Sequence, residues 1–169
     1  AVNGPRDVVL SGTRKSVSEI LSRLDEKDGV KSRTLNVSHA FHSPLMKPAF
    51  DEMHGFLSEI SFQDPKIPLV TTLTGTLATG VHMKSASHWA HHMLQPVRFH
   101  DAVQTLRRMK CDTFVEIGSG STLLRLVRNC LDEDEDVIYV PSIGEGGIER
   151  ALMSLRRVPV ELSKKKKKR

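Results

Sequence analysis

The sequence predicts an α/β protein. Short β-favouring runs such as "DVVLSG" (7–12) and "VIYVPSI" (137–143) alternate with stretches of helical apolar spacing. Glycine and proline punctuate the joints between them. With 169 residues, 38% hydrophobic and 27% charged, the chain suits about one globular domain and has too many apolar residues for a disordered one.

"DVVLSG" reads as a short buried strand ending at Gly12. Residues 13–29 follow as a helix, because Val17, Ile20, Leu21 and Leu24 recur at helical spacing. Thr13 or Ser11 would cap its start, and Gly29 sits past its end. "VKSRTLNV" (30–37) alternates apolar and polar residues like a strand with one covered face. Strand, helix, strand make half of a small α/β sandwich.

Ser43 and Pro44 signal a helix start, and the apolar set from Leu45 to Ile60 winds round a helix over 43–62. Residues 64–79 form a loop leading into a β-rich run that turns near Gly75. Residues 85–111 read as two helices, broken at "QPVRF" because Pro96 cannot donate a backbone bond and disfavours helix at Gln95. Then come a strand over Thr113–Ile117, a glycine turn, and a helix through Leu123, Leu124 and Val127. "DEDED" (132–136) is a solvated acidic turn, 137–143 a last strand and 147–158 a short closing helix.

The net charge of +5 is unevenly placed. Removing the six basic residues 164–169 from the 25 leaves 19 against 20 acidic ones, a body of about −1. The tail is a self-repelling extension, open to reading as a localisation or polyanion-binding patch or as a solvated end. One Tyr and one Trp leave little to stack bases, which argues against nucleic acid. No apolar run reaches the ~18 residues of a membrane span. The start shows no signal-peptide pattern, and its lack of Met points to a fragment or processed product. Cys111 and Cys130 form neither a disulfide framework nor a metal knuckle; they read as small buried hydrophobes in a reducing compartment.

Several motifs invite chemistry. His39 and His42 in "VSHAFHSPLMKP" could be bases, ligands, or ordinary loop and core residues. His88, His91 and His92 stand at i, i+3, i+4, a spacing that could present three imidazoles to zinc, although no H-E-x-x-H glutamate accompanies them. "EIGSGS" (116–121) resembles a phosphate cradle but lacks both the third dinucleotide glycine and the P-loop lysine, so a tight strand-to-helix turn is the competing reading. The nucleophile elbow G-x-S-x-G is absent.

Four segments, "AVNGPRDVVLSG", "VSHAFHSPLM", "HWAHHMLQPVRF" and "FVEIGSGSTLLRLV", together resemble the C-terminal part of a malonyl-type acyltransferase domain. Such domains occur in polyketide synthases and as the malonyl-CoA:acyl-carrier-protein transacylases of fatty acid synthesis. The resemblance spans residues 1 to about 145. It implies an α/β-hydrolase-like core with an inserted ferredoxin-like subdomain. Residues 1–37 would be the second half of that insert, 38–158 the C-terminal part of the core, and 159–169 a disordered basic tail.

By the same resemblance, His42 is the catalytic base of a Ser–His dyad. His39 and Phe41 would line the acyl pocket, with Phe41 crowding an α-methyl group and so favouring malonyl. Asn3 would lie near the substrate, and the main-chain carbonyl of His92 would orient the imidazole. The chain itself would bind no cofactor and no metal. Malonyl-CoA is the implied substrate, an acyl carrier protein supplies the phosphopantetheine thiol, and the N-terminal part of the domain is the other partner. The setting would be cytoplasmic. The family's G-H-S-x-G serine, the arginine that pairs with the malonyl carboxylate and the oxyanion-hole residue are missing from these 169 residues, so the resemblance implies a chain inactive alone. Two other readings remain beside it: a non-catalytic half-domain that binds a partner, and a zinc protein using His88, His91 and His92.

Overall fold

Every strand here is short, so helices and side-chain bonds carry much of the architecture. The structure is a computed structural model that describes residues 1–28, 30–131 and 136–143, with Glu149, Leu152 and Met153 beyond them. In chain order the elements are β1 (Val2–Gly4), β2 (Asp7–Val8), α1 (Arg14–Asp28), a 3₁₀ turn (Pro44–Met46), α2 (Lys47–Ser58), β3 (Val70–Thr71) and β4 (Thr76–Leu77). After these come α3 (Gly80–Met83), α4 (Ala86–His91), α5 (Phe99–Arg108), β5 (Thr113–Glu116), α6 (Thr122–Cys130) and β6 (Ile138–Pro141). The mixed α/β class is as predicted. The chain divides into two compact units, Ala1–Lys110 and Cys111–Arg169.

In the first unit β1 pairs antiparallel with β2, and β3 with β4. Thr13 caps α1: its Oγ1 accepts from Ser16 N at 3.1 Å, satisfying one of the orphan donors at a helix start. The β3–β4 turn runs through Gly75 at φ +73°, as the sequence predicts, and a side chain there would collide with Asp101 of α5. Thr105 on α5 donates to the Gly75 carbonyl at 2.6 Å, pinning the hairpin to that helix. α5 also packs against β1, and α2 packs against α4, with the Phe50 ring 5.0 Å from His91. Met46, Met83, Ala90, Ala102 and Val103 are the buried apolar side chains of this unit.

The second unit contains a β–α–β arrangement in which β5 and β6 run parallel, Phe114 opposite Tyr139 and Val115 opposite Val140. α6 buries Leu124, Val127 and Cys130, spaced at three residues along one stripe. Phe114, stacked 6.4 Å from Tyr139, and Val140 are the buried strand residues, and the Arg128 guanidinium lies 4.4 Å above the Tyr139 ring.

Four expectations change. Residues 30–37 are irregular, not a strand, and Val30, Leu35 and Val37 are exposed. A strand needs a neighbouring edge for its N–H and C=O groups, and among the described residues none pairs with this segment; Val37 N bonds locally, to Leu35 O. The strand at 7–12 shrinks to Asp7–Val8 and is not buried, Val8 being 58% exposed. The helix over 43–62 splits into the 3₁₀ turn and α2, which ends at Ser58. Cys130 is buried as expected, whereas Cys111 is only half-buried. Most of the closing helix, the acidic turn and the lysine tail lie outside the described residues. Among those described, no helix is long and apolar enough to cross a membrane.

Candidate active site

The segment after the irregular stretch turns sharply at His42, whose backbone sits at φ +60°. A non-glycine residue pays of order 1 kcal/mol or more for that conformation, so it persists only where other bonds hold it. Four such bonds are present. His42 N donates to Met93 O at 2.9 Å. The neighbouring Ser43, 3% exposed, donates its hydroxyl to Ala40 O at 2.7 Å and accepts from Leu45 N, capping the 3₁₀ turn. His42 Nδ1 lies 3.1 Å from Gln95 O.

That last contact settles the tautomer. A carbonyl oxygen only accepts, so the contact calls for a proton on Nδ1, which in the neutral ring leaves the lone pair on Nε2. The imidazole is thereby presented as a base. It lines a cleft of about 460 Å³ together with Ser11, Ser43, Lys47, Leu94 and Gln95. The acceptor carbonyl belongs to Gln95, three residues beyond the expected His92, in the connection between the end of α4 at His91 and the start of α5 at Phe99.

His92 sits close by in a different role. Its ring Nε2 is 3.4 Å from the Thr71 hydroxyl on β3. Burial, and then the charge of His42, hold its pKa below the ordinary histidine range. His39 bonds to the Ser38 hydroxyl at 2.8 Å and meets the Phe41 ring edge-on at 5.9 Å; both side chains are exposed. Asn3 lies on β1, its amide 3.4 Å from Asp7 Oδ1. Of the sequence-predicted site residues, His42 lines the cleft; His39, Phe41, Asn3 and His92 do not. Gln95 and Lys47 belong to the site and were not singled out from sequence. The Gln95–Pro96 break was the available signal for the first, and the second had none.

The three helical histidines do not converge. α4 ends at His91, whose Nδ1 turns back to Ser87 O at 2.6 Å and whose ring meets Phe50. His88 is buried, 5.4 Å from the His92 ring, with Nε2 lacking a hydrogen-bond partner. Burial, then His92, His82 and His91, push its pKa down. Among the described residues no three His, Cys, Asp or Glu side chains group to hold a metal. In the second unit the glycine turn holds no open cradle at Leu124: Glu116 Oε2 itself accepts from Leu124 N at 3.0 Å. Gly118 takes φ +156° and donates its N–H to Ser142 Oγ at 3.0 Å.

Known proteins share this sequence and shape. The family model described as acyl transferase domain matches residues 1–155. Polyketide synthase GfsA of Streptomyces halstedii is 38% identical over 162 residues, 96% of this chain and 2% of that protein. The spectinabilin polyketide synthase system protein NorB of Streptomyces orinoci is 39% identical over 133 residues, 79% of this chain and 6% of that one. Among solved structures, the acyltransferase domain from the second module of the salinomycin polyketide synthase superposes with a TM-score of 0.80 at 37% identity, covering 90% of this chain and 35% of that chain. MCAT from Streptococcus pneumoniae gives 0.78 at 25% identity, covering 90% of this chain and 47% of that one. The chain thus spans a small share of the curated relatives and under half of either solved structure. It belongs to the acyl transferase domain family.

Proposed function

We propose that this chain carries the general base of an acyltransferase that moves a malonyl group from CoA, through a serine ester, to the phosphopantetheine thiol of an acyl carrier protein in polyketide or fatty acid biosynthesis. The observation that carries the reading is the bond from His42 Nδ1 to Gln95 O, which in the neutral ring leaves the Nε2 lone pair available on a residue that lines a cleft. His42 takes the serine proton as the serine oxygen attacks the malonyl carbonyl, and returns it to the departing CoA thiolate. It then takes the carrier thiol's proton and gives it to the serine oxygen when the ester breaks. The serine and the carboxylate-binding arginine come from the N-terminal part of the domain, so the isolated chain is inactive. That reading makes residues 1–37 the second half of a ferredoxin-like insert in an α/β-hydrolase-like core. The setting it implies is cytoplasmic.

The test joins this sequence to a serine-bearing N-terminal part and follows labelled malonyl from CoA to serine to carrier. Replacing His42 with Ala lowers transfer by about 10²–10⁴-fold, the usual contribution of a positioned acid–base group. Transfer at the unsubstituted rate would remove His42 from the mechanism. A second reading, a non-catalytic half-domain that binds a partner, draws on Phe56, Ile67, Val81 and Ile117, which are 64%, 77%, 82% and 90% exposed. A monomeric, protease-resistant isolated chain would count against it.

A further inference from the structure

The His42 cleft has an asymmetric charge. Of the groups lining it, Lys47 is the cation, and no carboxylate is among them. The rest are hydroxyls, prolines, Leu94, Gln95 and the imidazole. Lys47 opens α2 directly after the 3₁₀ turn, whose flanking Ser43 and final Met46 are buried, so the helix start fixes its backbone relative to His42. Its side chain is 59% exposed, which puts it at the rim of the cleft. Its ammonium pairs with Asp51, four residues on along the same helix, and stands 5.3 Å from the centre of the Phe50 ring. Asp51 is equally exposed, and pairs of that kind are weak and screened, so an incoming anion can exchange with it.

We propose that Lys47 is an anion subsite of this cleft and that it takes the phosphate of a phosphopantetheine arm. This rests on the reading of the cleft as the thioester site. A thioester held with its carbonyl near an imidazole trails an uncharged, amide-containing arm ending in a phosphate. The phosphate is costly to dehydrate and belongs at the solvent rim, where the ammonium stands. The cation then recognises what CoA and a carrier protein's prosthetic group have in common, whichever acyl group is attached.

The experiment titrates this chain, labelled for NMR, with 4′-phosphopantetheine, pantetheine and malonate, following the His42 ring and Lys47 side-chain signals, and repeats it with Lys47→Gln. The expected result is that phosphopantetheine shifts both sets of signals and binds more tightly than pantetheine. Lys47→Gln weakens phosphopantetheine about two- to fivefold, the scale of one exposed charge pair, and leaves pantetheine unchanged. Added salt should produce the same selective loss. Equal binding of the two arms with no effect of Lys47→Gln overturns the subsite while leaving the cleft as the thioester site. Failure of both arms to shift His42 overturns the cleft assignment itself. Loss of malonate binding alone in Lys47→Gln overturns the phosphate assignment in favour of a carboxylate.

Discussion

Glu116 gives the sharpest test of the second unit. Its carboxylate reaches from the end of β5 to the amide of Leu124, the third residue of α6, eight positions along the chain. Ser121, in the N-cap position, makes no side-chain cap bond, so Glu116 does the work of a cap from a strand. Two effects add: the hydrogen bond to an orphan N–H, about 1 kcal/mol, and a negative charge at a helix N-terminus, about 0.5 kcal/mol when partly exposed. Glu116→Ala removes both and should cost about 1.5 kcal/mol. Glu116→Gln keeps an acceptor and loses the charge, so it should cost about 0.5 kcal/mol. Urea unfolding monitored by α6 amide signals measures both, at low salt and at about 1 M, where a Debye length near 3 Å screens the charge. The gap between wild type and Glu116→Gln should then close, while the gap between Glu116→Gln and Glu116→Ala stays open. Equal losses for the two variants, unmoved by salt, would refute the division into bond and charge. No loss for either would refute the cap.

Gly75→Ala forces a methyl into Asp101 from a left-handed backbone, and should lower stability by about 2–4 kcal/mol in chemical denaturation. Leu124→Ala empties a 3% exposed position on α6 and should cost about 3 kcal/mol in the same assay. His88 and His92 both have pKa values held below the ordinary histidine value near 6.5, first by burial. The unfolded chain therefore binds more protons than the folded one just below that value. Stability from these two groups is complete above pH ~6.5 and falls as pH drops through it toward the lowered folded values. Melting temperatures between pH 7.5 and 5 should show that decline, and His88→Asn should flatten it; an unchanged slope would clear His88 of the effect.

Local chemistry made much of the fold legible. Pro96 breaks the helical run where α4 and α5 separate, Gly75 turns the hairpin, and the apolar spacing of Leu124 and Val127 marks α6. Pairing is where sequence reading failed. The alternation in "VKSRTLNV" fits a strand, but a strand exists only with an edge to bond, which no local pattern supplies. β1 was missed because Val2–Gly4 runs straight into Pro5 and looks like a turn, and it is held by β2 and by Val2 N donating to the distant Val97 O. In the site, the resemblance picked out His42, yet its acceptor lies 53 residues away, just past the end of α4. Glu116 escaped for a similar reason, since caps are sought beside the helix they serve.

The left-handed turn at His42 has a mechanical consequence. The residue's own amide and its ring nitrogen are both tied to the one stretch that contains Met93 and Gln95. Imidazole and acceptor are thus clamped at two points to the same short loop and travel as a unit. A displacement of that loop relative to a reacting group changes the approach angle of the imidazole without breaking the bond that fixes its proton. Motion here would re-aim the imidazole while the proton on Nδ1 stays where it is.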